Sequence, residues 1–280
     1  MKIKSSTMDK VFVTCNTIFL VLFVTITLYP VLNTVALSFN DGVDAVRGGI
    51  HLWPRIFTLS NYKTVLHQQN ILTGAVVSVA RTVLGTIFAL VTNALLAYII
   101  SRKRFLFRSQ LSLFWVITMY VNGGMIPTLV LYRNMNLTNS YAGLIMVYAG
   151  SSGLGYLICK GFFDTVPVAL REAAKLDGAS EARIFFQIVI PMSRPILVYT
   201  IISSFLTPWT DFVVAKMILN SGVSSDWTVA IGLYNMLQKA LVNSYFSRFC
   251  AGGVLVAVPI SILFVIMQKF YVEGITSGAA

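Results

Sequence analysis

The chain has 280 residues, of which 56% are apolar by type and only 11% are charged, and its mean hydropathy is +0.78. A soluble domain carries roughly 25% charged residues, so this chain cannot cover a water-facing surface of its own size, and the bilayer is its natural solvent. The net charge of +11 does not point to nucleic acid, because the basic residues form no dense stripe interleaved with aromatics.

A membrane-crossing helix needs about 20 mostly apolar residues. Six stretches meet that need, near 11–38, 71–98, 107–131, 141–161, 195–218 and 250–270. The run from Val11 to Phe39 is longer than the apolar part of a signal peptide, and no small-residue cleavage pattern follows it closely, so it reads as a retained span. Pro30 should bend that helix rather than end it. In the second stretch Gly74, Ser78 and Thr82 are spaced by four, as are Gly85 and Ala89. That spacing suits close helix packing, though general crowding would produce it too.

The connection 39–70 contains Trp53 and Tyr62, which suit a membrane interface, and Ser60 can cap a short helix over "NYKTVL". The connection 219–248 should hold a short amphipathic helix. Cys15, Cys159 and Cys250 show no metal or disulfide spacing and read as inert residues of apolar surroundings.

Orientation follows from Lys and Arg. With the N-terminus in the cytoplasm, the inner connections hold Lys2, Lys4 and Lys10, the cluster Arg102 to Arg104 with Arg108, and the group Lys160, Arg171, Lys175, Arg183 and Arg194, followed by Lys269. The outer ones hold Arg47, Arg55, Lys63, Arg133, Lys239 and Arg248, about half as many. Both termini are therefore expected inside.

Between the fourth and fifth stretches, residues 162–194 are charged, Ala-rich and punctuated by Gly178. Pro167 suits the first turn of a helix over "VALREAAKLDGA". Glu172 and Lys175 are placed to pair, Gly178 to end the helix, and Ser180 to cap a second one with Glu181 in its first turn. In that second helix Ser180, Arg183 and Gln187 would form a polar stripe, and Ala182, Phe185, Phe186 and Val189 the apolar side. A knob of this kind can dock a partner, or it can lie on lipid headgroups.

This segment resembles the EAA signature of the inner-membrane permease subunits of binding-protein-dependent ATP-driven importers. The matching residues are Glu172, Ala173, Ala174, Gly178, Ile190 and Pro191, and "EAAKLDGAS" with "IVIPMSRP" resembles the carbohydrate form. "NALLAYIISRKRFLFR", "NGGMIPTLVLYRNMNLTNSYAGLI" and "YVEGITSGAA" resemble further parts of the maltose permease family, in its branch for oligosaccharides and polysaccharide fragments. The chain departs from many relatives by ending in "GAA".

The resemblance implies an all-α membrane protein of six transmembrane helices, a single permease domain over 1–280, with a coupling segment at 162–194. Glu172, Ala173 and Ala174 would dock in a groove of an ATP-binding subunit, Gly178 would allow the turn, Asp177 and Arg183 would fix contacts around the dock, and the tail from Glu273 would reach toward the ATPase dimer. Its expected partners are a homologous second permease subunit, two ATP-binding subunits carrying ATP and Mg, an extracytoplasmic sugar-binding protein, and a carbohydrate substrate, all at the bacterial cytoplasmic membrane. The chain has no G-x-x-x-x-G-K-[ST], H-E-x-x-H or G-x-S-x-G pattern, so it is expected to be no enzyme and to bind no cofactor.

A sugar path needs amides, carboxylates and aromatic rings inside the bundle. Asn93, Asn122, Trp209, Thr210 and Asp211 are the candidates. The two asparagines can instead cross-link helices. Arg81 is free to pair with a sister-subunit carboxylate, and Asp211 with Lys216. The maltose relative takes its sugar contacts mainly from the other permease subunit. The alternatives are an ATP-driven permease for a non-sugar solute and an ion-coupled secondary carrier; a carrier of that kind should show an internal repeat, and none is evident.

Overall fold

The computed structural model describes residues 7–67, 69–121, 123–150, 152–219, 228–240 and 245–277. Among them the protein is all-α, apart from one isolated antiparallel bridge between Asn40 and Phe57. Three helices are long and apolar enough to cross a membrane unbroken, over Met8–Ser38, Ile71–Ser101 and Phe246–Lys269. Three bent pairs pass the same test together: Arg108–Tyr120 with Met125–Asn134, Tyr141–Ala149 with Gly153–Thr165, and Glu181–Met192 with Arg194–Thr210. The chain is thus a multi-span membrane protein. The helical path turns by 84° between Glu181–Met192 and Arg194–Thr210, where Ser193 and Pro195 break it.

The chain divides into two compact units. The first comprises residues 1–68 and 233–257. Its helix α1 (Thr7–Ser38) is apolar on every face and exposes nearly all of it, as a lipid-facing helix does; Pro30 lies inside without ending it. Beyond α1 the chain folds a polar knot. Asp41 caps α2 (Gly42–Ala45), and α3 (Ser60–His67) follows. Asn40 Oδ1 accepts from the Arg55 and Ile56 amides at 2.8 and 2.9 Å, while its Nδ2 donates to Asp44 Oδ2 at 3.1 Å. The buried Asp44 also pairs with Arg55 at 3.2 Å, and Asn61 Nδ2 donates to the Ser38 and Asn40 carbonyls. The expected helix over "NYKTVL" is present, but Ser60 opens it rather than capping it; its amide donates to the Thr58 hydroxyl at 3.1 Å.

The second unit comprises residues 69–232 and 258–280 and is organised on α4 (Gln69–Ser101). Next come α5 (Arg108–Tyr120), α6 (Met125–Asn134), α7 (Tyr141–Ala149) and α8 (Gly153–Thr165). After them stand α9 (Val168–Leu176), α10 (Glu181–Ile184), a π-helical turn (Phe185–Val189), α11 (Ile190–Met192), α12 (Arg194–Thr210) and α13 (Val213–Ile218). The chain then continues through α14 (Val229–Ala240), the helix expected in the 219–248 connection, and α15 (Phe246–Ser277).

The small residues of α4 share one buried face: Gly74, Ser78, Thr82, Gly85 and Ala89 are all covered, and α7, α8 and α12 pack there. A Cβ at Gly85 would sit only 3.1 Å from the Tyr148 Cβ, so close approach, not mere crowding, uses the small-residue stripe. Two apolar clusters result. One joins Ala94, Ala97 and Tyr98 to Tyr156, Phe163, Ile184, Phe185 and Val189. The other gathers Leu144, Ala215, Ile218, Leu219 and Ile231.

Candidate functional site

The segment after α8 is built as a terminated helix pinned by one face. Pro167 stands one place before α9 rather than in its first turn, its φ of −54° set by the ring, and no side chain caps the first-turn amides. Gly178 ends α9 at φ +78°, a backbone region that costs a side-chain-bearing residue about 1–2 kcal/mol. Its amide donates to the Lys175 carbonyl at 3.0 Å and the Ala179 amide to the Ala174 carbonyl at 2.9 Å, the paired bonds of a Schellman motif. Ala174 and Ala179 also pack together on the first apolar cluster. The spacing of the second Ala of the signature and its Gly is therefore the spacing of one helix stop.

Ser180 caps the next helix, accepting from the Arg183 amide at 3.3 Å. Glu181 then ties this helix to the end of α4. Tyr98 donates its hydroxyl to Glu181 Oε2 at 2.8 Å, Arg102 pairs with the same oxygen, and Lys175 reaches Oε1 at 2.7 Å. Burial alone raises the Glu181 carboxyl, but hydrogen bonds from Arg102, Lys175 and Tyr98 outweigh it and hold it at about 2. Phe185 packs on the Tyr98 ring, 4.9 Å between centroids.

Two sequence expectations are corrected here. Lys175 pairs with Glu181, not with Glu172, because Gly178 turns the chain back and brings a carboxylate already held by Arg102 within reach. The buried face of the second helix is Ile184, Phe185 and Val189, while Ala182 and Phe186 are exposed. The π-helical turn that begins at Phe185 carries the chain into the core in a different register from a regular helix.

What remains on the outside is the face that carries the signature. Glu172, Ala173, Asp177 and Arg183 are exposed, and the three charged side chains make no ion pair or hydrogen bond among the described residues. Leu176, 89% exposed, and Phe186, 65% exposed, stand among them. Beneath them Arg171 is buried and donates to the Val166 carbonyl at 3.0 Å, so it braces the entry to α9. Arg171, Tyr98 and Glu181 were missed as site residues. Their partners lie too far along the chain for spacing to show them, although Ser180 followed by Glu181 does signal a helix start.

The residues expected on a sugar path do not form one cluster. Asp211 terminates α12 and caps α13, accepting from the Val214 and Ala215 amides at 3.3 and 3.2 Å. Tyr148 donates to its Oδ2 at 2.6 Å. Arg81, fully buried, donates to the Pro208 carbonyl and, at 2.8 Å, to the Asp211 carbonyl, with its guanidinium 5.7 Å from the centre of the Tyr148 ring. Arg81 thus holds the broken end of α12 from within the same chain. Trp209 is buried and stacks on Phe205, 5.7 Å between centroids, while Thr210 is exposed and donates to the Leu206 carbonyl. Asn93 stands twelve residues beyond Arg81, roughly 18 Å along α4 at 1.5 Å per residue. It is buried against Gly155 of α8. Asn122 lies outside the described residues, as does the end of the tail beyond Ser277. No group of three or more His, Cys, Asp or Glu among the described residues could hold a metal.

Residues 4–276 match the family model of the binding-protein-dependent transport system inner membrane component. The chain belongs to that family. This permease is 33% identical over 259 residues to the galactooligosaccharides transport system permease protein GanQ of Bacillus subtilis, covering 90% of both chains. It is 37% identical over 207 residues to the maltodextrin transport system permease protein MalD of Streptococcus pneumoniae, covering 69% of this chain and 71% of that one. In fold it is similar to a chain of a bacterial ABC transporter involved in the import of the acidic polysaccharide alginate. The TM-score is 0.86 at 23% identity, over 96% of this chain and 100% of that one.

Proposed function

We propose that this permease is one of two paired membrane subunits of an ATP-driven carbohydrate importer in the bacterial cytoplasmic membrane, taking up an oligosaccharide or polysaccharide fragment. The names of its relatives supply the substrate class. The bent pairs bring the total to six, the last of them crossing by α12 (Arg194–Thr210) with Glu181–Met192 left in the cytoplasmic segment. Both termini then lie in the cytoplasm, an orientation favoured by the excess of Lys and Arg in the connections then inside. ATP and Mg sit on two separate subunits, and an extracytoplasmic binding protein delivers the sugar to the other side. Asn93, Asn122, Trp209, Thr210 and Asp211 serve the path through the bundle, with Asp211 placed at a helix break whose carbonyls Arg81 holds and whose amides the Asp211 carboxylate caps.

The observation that carries the reading is the exposed face of α9 and the start of α10: a helix rigidly stopped at Gly178 and pinned through Glu181, yet presenting the side chains of Glu172, Asp177 and Arg183 without partners among the described residues. Pinned on one side and open on the other, it can pass a displacement of a docked ATPase subunit to α4. Small residues let the partner surface approach, Leu176 and Phe186 offer apolar anchors, and the charges set the register. Coupling then requires only that this contact differ in energy between two packings of the bundle.

The test is uptake by the assembled transporter in vesicles, with the binding protein and ATP. Gly178→Val should insert and assemble with its sister subunit yet lose at least tenfold in uptake, because the helix stop is strained. Gly178→Asn, which tolerates the same backbone, should keep most of it. Undiminished uptake by the Val variant, or uptake by this chain without any ATPase subunit, would overturn the proposal.

A further inference from the structure

We propose that the cleft between the end of α4, the start of α5 and the side of α9 that carries Arg171 and Glu172 holds the headgroup of an anionic phospholipid. The cleft measures about 1170 Å³. Its acids are largely spent: Glu181 is taken by Arg102 and Lys175, and Asp164 by Lys160 at 2.6 Å. Its remaining cations are not. Lys103, Arg104 and Arg108 line it, and their side chains make no ion pair or hydrogen bond among the described residues. Arg171, only 7% exposed, lines it too, and its Nε is buried without a partner. Helix α5 begins at this spot with no side chain capping its N-terminus, which leaves first-turn amides for another acceptor. Glu172 is the one acid on the wall with no partner among the described residues.

Charge alone would suit any anion; the rest of the wall selects a lipid. Ile99, Leu113 and Val116 continue the cleft along α4, which meets the length and hydropathy of a membrane span, and along α5, which does so together with α6. The stretch between α4 and α5, "RKRFLFR", sets three large apolar side chains between three cations and a fourth, and Leu106 is 88% exposed. A phosphate placed among Arg104, Arg108 and Lys103 leaves its acyl chains against Ile99 and Leu113. A free phosphate would leave that apolar wall wet, and an acidic protein surface would have to cover Leu106 and Phe107 as well. Juxtamembrane cations of this kind attract anionic lipid by roughly fivefold each.

The inference rests on the chain's being a multi-span membrane protein, not on its coupling role, and its readout is lipid retention rather than transport. The complete transporter would be purified from nanodiscs of phosphatidylcholine and phosphatidylglycerol, and the retained lipid counted by native mass spectrometry. The wild type should retain phosphatidylglycerol over phosphatidylcholine by on the order of tenfold. The double variant Arg104→Gln with Arg108→Gln should bring that ratio near parity, while Arg104→Lys with Arg108→Lys should keep most of it. Should the double Gln variant fail to assemble, Lys103→Gln alone should still lower the ratio severalfold. Equal retention by the Gln and Lys variants would overturn the proposal. So would displacement of the lipid by millimolar inorganic phosphate, or a cross-link from Arg104→Cys to a partner subunit across the cleft.

Discussion

In the segment from Ser38 to Tyr62 the buried polar atoms find partners within the segment: Asn40 alone serves two amides, one carboxylate and one carbonyl. In the segment from Val166 to Ile190 the pinned side is equally well bonded through Glu181, but the buried Nε of Arg171 and three outward-facing charged side chains have no partner among the described residues. Both segments interrupt apolar spans. The first is complete as it stands, so its polar groups stabilise the chain itself. The second is complete only on its inner face, and its outer groups gain energy when something else arrives. Substitutions in the first should register as lost stability, and substitutions on the outer face of the second as lost association.

The largest effect should come from Asn40→Ala. It leaves the Arg55 and Ile56 amides without their acceptor and removes a donor from Asp44, a loss of about 2–4 kcal/mol for buried groups left unsatisfied. Thermal unfolding of the detergent-solubilised chain, followed by size-exclusion fluorescence, should show a clear drop in midpoint. Uptake per assembled transporter should stay near wild type. A variant that unfolds normally would mean the knot is not the self-sufficient structure its bonding implies.

The sequence made the stop at Gly178 and the cap at Ser180 legible because each is a local event: a left-handed residue after a helix, a hydroxyl three residues before an amide. The buried small face of α4 was legible for the same reason, since its period is that of the helix. The partners of Glu181 were not legible. Tyr98 and Arg102 lie about eighty residues away, and their approach depends on how α4 packs against the π-helical turn. The burial of Arg171 escaped as well, because a charged residue in an amphipathic helix reads as surface until its neighbours are known. Nor could spacing separate Trp209, Thr210 and Asp211, consecutive in the chain, into a buried ring, an exposed hydroxyl and a helix cap.

A smaller effect should follow from Glu181→Gln, which tests the inner face of the second segment. The carboxyl sits at about 2 in the folded chain, below the 4.5 of an unperturbed glutamate. A depressed acid contributes stability that is present above its unfolded value and lost as pH falls through 4.5 toward 2. Because the side chain is half exposed, solvent screening limits the contribution to under about 1 kcal/mol. The wild-type midpoint should therefore decline between pH 4.5 and 2 more steeply than that of the Gln variant, and the two should converge at the acid end. Parallel curves would show that the ties to Arg102 and Lys175 contribute nothing to holding α10 on α4.

The smallest effect on stability, and the sharpest separation of the two segments, should come from the pair Glu172→Gln and Lys63→Gln. Both side chains are exposed and make no ion pair or hydrogen bond among the described residues, so each substitution should move the unfolding free energy by no more than about 0.5 kcal/mol. Their association should differ. If the outer face of α9 is where an ATPase subunit docks, losing one charge that sets its register should weaken the binding of that subunit by roughly threefold to tenfold, seen as faster dissociation. Lys63→Gln, on α3 immediately after the self-contained segment, should leave that affinity unchanged. Were the two variants to weaken the ATPase contact equally, although they shift the net charge in opposite directions, the loss would not come from a charge on the docking face, and the contrast between a closed and an open polar segment would lose its functional meaning.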